Sequence, residues 1–104
     1  MNTKLQKIIT DVIYEIKTLL ENSNDFPIEK LCEHGGCLIL YCIKEIDDEF
    51  SMTVEVAKKN SDFSYSNFIF DGEKQTLIDA LSREDTLTKV LNYTENLIKK
   101  AKPE

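Results

Sequence analysis

The sequence predicts an α+β domain in two layers. A three-stranded antiparallel β-meander carries one long helix before it and two helices after it, in the order α-β-β-β-α-α. Two patterns predict this. Residues 37–43 are an unbroken apolar run, and residues 50–57 alternate apolar and polar with the period of two of a half-buried strand. Residues 3–20 and 77–101 instead repeat their apolar positions every three or four residues, the spacing of an amphipathic helix. A chain of 104 residues fits one domain, spanning 1–104.

The first helix is the strongest signal. Leu5, Ile8, Ile9, Val12, Ile13, Ile16, Leu19 and Leu20 form its stripe, and Thr3 with Gln6 makes a capping-box pattern at its start. Asn22, Ser23, Asn24 and Asp25 end it. Residues 27–33 read as one or two helical turns, because Pro27 stands near the start and Gly35 after the end.

The hairpin of residues 36–57 is the centre of the chain. Cys37, Ile39, Tyr41 and Ile43 share one face of its first strand; Leu38, Leu40 and Cys42 share the other. In the second strand Phe50, Met52, Val54 and Val56 point one way, with Ser51, Thr53 and Glu55 opposite. The tip, residues 44–49, lacks the Gly of a tight two-residue turn and predicts a looser connection. Residues 63–70 predict a third strand with a bulge near Asn67, where the apolar parity changes. Asp71 is positioned to cap a helix faced by Leu77, Ile78, Ala80 and Leu81. Residues 82–85 then restart a helix whose stripe is Leu87, Val90, Leu91, Thr94, Leu97, Ile98 and Ala101. Lys99, Lys100 and Lys102 suit its C-terminal dipole, and Pro103 ends it.

Charge narrows function more than motif does. The net charge is −6, and residues 21–55 hold nine acids against Lys30 and Lys44. Such a surface disfavours direct nucleic-acid binding, which depends on cations meeting phosphates, and favours a basic protein partner. No apolar stretch reaches the about 20 residues of a membrane span, and Lys4, Lys7 and Asp11 interrupt any leader-like run. Three cysteines without such a leader predict free thiols in a reducing cytoplasm.

Catalytic chemistry is sparse. Cys32, His34, Cys37 and Cys42 match no zinc-binding spacing, and Cys37 and Cys42 fall on opposite faces of one strand. Cys32 or Cys37 with His34, the single histidine, is the one possible nucleophile pair, and no orienting partner is evident. Phe63, Tyr65, Phe68 and Phe70 suggest a base-stacking platform but lack interleaved cations. The expectation is therefore a protein without catalytic residues, cofactor or metal: a small acidic module that occludes a basic protein surface, as a stoichiometric inhibitor, an immunity-type protein or a chaperone does. Its expected contact residues are Glu45, Asp47, Asp48, Glu49 and Glu55 with the outward Ser51 and Thr53. Two alternatives belong to other classes: a homodimeric structural or regulatory subunit joined through strand edges and the face of Leu38, Leu40 and Cys42, and a small thiol enzyme using Cys37 or Cys32 with His34.

Overall fold

The computed structural model describes residues 3–102, in the order α1 (Thr3–Asn22), β1 (Ile28–His34), β2 (Cys37–Ile46), β3 (Glu49–Lys58), β4 (Ser64–Gly72), α2 (Lys74–Leu81) and α3 (Glu84–Ala101). The fold is α+β, but its antiparallel sheet has four strands rather than three, in the spatial order β1-β2-β3-β4.

The added strand is the segment expected to be helical. Gly35 and Gly36, with φ of 61° and 79°, form a two-residue turn that folds β1 back on β2 from the pair His34↔Cys37. Positive φ at both central positions is the geometry that glycine supplies without strain. Pro27 precedes β1, at an edge, where its missing N–H costs the sheet no hydrogen bond.

The β2–β3 turn differs from expectation for a related reason. Ile46 pairs with Glu49, so only Asp47 and Asp48 lie between the strands, with φ of 53° and 66°. Aspartate tolerates the left-handed region better than most residues, so a tight turn forms without glycine. In β4 the bulge lies at Ile69 rather than near Asn67: Met52 opposes Phe70 and Thr53 opposes Phe68. The extra residue turns into the core, 2% exposed, and the ammonium of Lys89 donates to its carbonyl at 2.8 Å.

All three helices cover one face of the sheet. Leu5, Ile9, Val12, Ile13, Ile16 and Leu20 are the buried stripe of α1, with Leu19 left exposed. This helix lies against β1 and touches α2 and α3, while α3 lies chiefly over β3 and β4. Cys37, Ile39, Tyr41 and Ile43 of β2 and Phe50, Met52, Val54 and Val56 of β3 face these helices and are buried. The Tyr41 hydroxyl meets that of Thr94 at 2.7 Å in the middle of this core. Glu73 and Arg83 occupy the caps of α2 and α3, neither making a side-chain cap bond, so Asp71 does not cap. Thr3 and Gln6 both lie within α1, Thr3 as its first helical residue and not a flanking cap, and the stop at Pro103 falls outside the described residues.

Candidate partner-binding surface

The second face of the sheet carries no helix. Register fixes which side chains share it: each residue on this side of a strand stands beside one on the next. One row runs Glu29, Cys42, Thr53, Phe68; the next runs Leu31, Leu40, Glu55, Ser66; a third runs Glu33, Leu38, Ala57, Ser64. Nearer the tip come Lys44, Ser51 and Asp71, then Ile46 beside Glu49.

This face is apolar along its middle and acidic along its flanks. Leu31 is 65% exposed and Phe68 54% exposed, although both are large apolar side chains on regular strands. Leu38 and Leu40 are half-buried between them, and Cys42 is covered by its neighbours. Glu29 and Glu33 flank the stripe on β1, with Glu55 on β3 and Asp71 on β4 beyond it. Glu33 pairs with Lys59 at 2.7 Å, and Ser64 donates to Glu55 at 2.5 Å. Burial pushes the Cys42 thiol up; Glu29 and Glu55 raise it further and Lys44 opposes them.

The strand-bearing half also holds most of the net charge. Residues 28–72 contain nine acids against four bases; the rest of the chain contains ten acids against nine bases. The helical layer is thus nearly neutral, and the charge of −6 resides mainly with the sheet.

The expected contact residues divide along this geometry. Glu49, Ser51, Thr53 and Glu55 lie in line on the open face of β3. Asp47 and Asp48 form the turn at its end. Glu45 pairs with Phe50, on the side of the helices, and lines a notch with Phe26 and Pro27. From Glu49 to Glu55 is about 20 Å of strand, so these residues form a row along an inner strand and not a single knob. Glu29, Glu33, Leu31 and Phe68 were not expected here. Reading residues 27–33 as helix hid the first three, and the parity change in β4 hid Phe68.

The other candidate clusters separate. Cys32, His34 and Cys37 lie on the helix side, with His34 directly opposite Cys37, while Cys42 lies on the open side. Cys37 has no solvent exposure, and burial pushes the Cys32 thiol up, away from the reactive thiolate. Among the described residues no group of three or more His, Cys, Asp or Glu side chains is placed to hold a metal ion. Tyr65 and Phe70 oppose Val56 and Met52 on the helix side, Phe68 lies on the open side, and Phe63 precedes the strand, so the four aromatic rings share no platform. No described helix is long and apolar enough to cross a membrane. No protein-family model matches the chain, and no curated protein or solved structure matches it.

Proposed function

We propose that this protein is a non-enzymatic acidic binding module that occludes a basic surface of another protein through the uncovered face of its sheet. A stoichiometric inhibitor, an immunity-type protein or a chaperone would act in this way. One observation carries the reading: all three helices lie on one sheet face and leave the other with exposed Leu31 between Glu29 and Glu33, and exposed Phe68 on the strand beyond Glu55. Exposed apolar surface with a mainly acidic rim, here broken by Lys44 and by Lys59 paired to Glu33, is the pattern of an interaction site. The carboxylates speed encounter with a cationic partner and repel phosphate backbones, which supports a protein partner over nucleic acid. Three free cysteines support a reducing compartment such as the cytoplasm.

The same apolar stripe supports a second reading, a homodimer joined face to face. Its cost is electrostatic, because Glu29, Glu33, Glu55 and Asp71 would meet their own copies. A thiol enzyme has less support: Cys37 is sealed, and the thiols of Cys32 and Cys42 are held protonated.

Affinity capture from native extract, eluted by a salt gradient, tests the proposal. The bait is wild type beside a variant carrying Glu29→Gln, Glu55→Gln and Asp71→Asn. A basic protein held by wild type, released at moderate salt and lost with the variant is the expected result. Equal capture by both baits would refute the role given to these carboxylates.

A further inference from the structure

We infer that the segment received by the open sheet face is an amphipathic helix of the partner, with Lys or Arg on both sides of its apolar stripe. This rests on the basic-partner reading above and specifies its chemistry. The backbone groups of β2 and β3 are paired with neighbouring strands on both sides. A segment laid across this face therefore gains no backbone hydrogen bonds and must satisfy its own, as a helix does. An added strand would instead pair with the outer edge of β1 or β4, beside the stripe and not across it.

Size and charge point the same way. The apolar stripe follows Leu38, Leu40 and Cys42 on β2 with Leu31 beside it on β1, two strands or about 10 Å wide, which is the width of one helix. Four strands averaging about nine residues make a face of roughly 19 by 30 Å, room for one helix about 10 Å across to lie along it. Glu29 and Glu33 stand before and after Leu31 along β1, and Glu55 faces Leu40 from β3 with Asp71 beyond it on β4. Long basic side chains on a helix can lay their stems over the leucines and carry their heads to these carboxylates. A second copy of this chain would instead bring carboxylates against carboxylates.

The test titrates the whole chain into three labelled synthetic peptides of about 18 residues, roughly 27 Å of helix. One has a leucine stripe flanked by lysines, one the same stripe flanked by glutamates, and one the lysine composition in scrambled order. Anisotropy is read at low and high salt. The Lys-flanked helix is expected to bind about tenfold more tightly than either control, and to lose about tenfold with Leu31→Asn/Leu40→Asn. Tyr14→Ser, on the helical layer and 71% exposed in wild type, should leave binding unchanged. Circular dichroism confirms that each variant is folded. Equal binding of the scrambled peptide, or no effect of the leucine variant, would overturn the inference. Sedimentation of wild type as a dimer that Leu31→Asn/Leu40→Asn disperses would overturn it in favour of a second copy. Capture of a basic partner that the Lys-flanked helix fails to displace would overturn the helix alone. Failure to capture any basic partner would overturn the reading beneath it.

Discussion

Tyr41 and Thr94 form a closed hydroxyl pair, and substituting one partner should cost more than substituting both. Both residues have no solvent exposure, and their oxygens are 2.7 Å apart. Thr94→Val keeps the branched shape but strands the Tyr41 hydroxyl in a dry core, costing about 1–3 kcal/mol. Tyr41→Phe should cost less, about 0.5–1.5 kcal/mol, because a helical threonine can return its proton to the carbonyl four residues back. Thr10 and Thr18 of α1 already make such bonds, to Gln6 and Tyr14. The double variant replaces the pair by apolar groups of similar shape and should lie within about 1 kcal/mol of wild type. At about 2.1 cal/mol/K per residue, a loss of 1–3 kcal/mol lowers Tm by roughly 5–14 °C. Urea unfolding followed by circular dichroism, fitted with a shared slope, gives the three differences. A double variant as unstable as the two single losses added together would refute the closed-pair argument.

Asp47→Asn/Asp48→Gly removes both charges from the turn and places glycine at one left-handed position, so chemical denaturation should show a gain of about 0.5–1 kcal/mol; an unchanged or lower midpoint would count against the two-residue turn. Ile13→Asp puts a charge on the buried stripe of α1, where Ile13 is 6% exposed, and should abolish the cooperative melt; a retained transition would show that the stripe is not sealed. The thiols of Cys32 and Cys42 and the phenol of Tyr41 are pushed above their ordinary values of 9.0 and 10.0, so the unfolded chain loses these protons first. Stability is then complete below about pH 9 and falls as pH rises, and Tyr41→Phe should make the fall above about pH 10 shallower in urea titrations.

Much of the fold was legible because its elements bury one face each. The stripe of α1 and the alternation of β3 name their inward residues directly, and the structure buries Ile9, Ile16, Met52 and Val54 as those periods require. β1 was not legible because neither of its faces is apolar. Lys30 sits on its inward side and reaches Glu15 of α1 at 2.9 Å, while Leu31 points outward between two glutamates. Its real signal was Gly35-Gly36, two residues between extended segments, which also reads as a helix end. That ambiguity hid half of the candidate surface: Glu29, Leu31 and Glu33 become neighbours of Cys42, Leu40 and Leu38 only once β1 pairs with β2. The turn at Asp47 and Asp48 was missed for a smaller reason, since positive φ without glycine is uncommon enough to argue against it.

Strand order that follows chain order has a consequence for synthesis. Each strand finds its neighbour in the segment made just before it, so the sheet can form as it leaves the ribosome. The helix that covers β3 and β4 comes last. At about 5–20 residues per second, residues 73–102 take on the order of 2–6 s to add. Through that interval Val54 and Val56 lack their cover, and the growing chain shows apolar side chains on both sides at once. Glu29, Glu33 and Glu55 are in place as soon as their strands are, and carboxylates beside an apolar strand are what keep nascent sheets from one another.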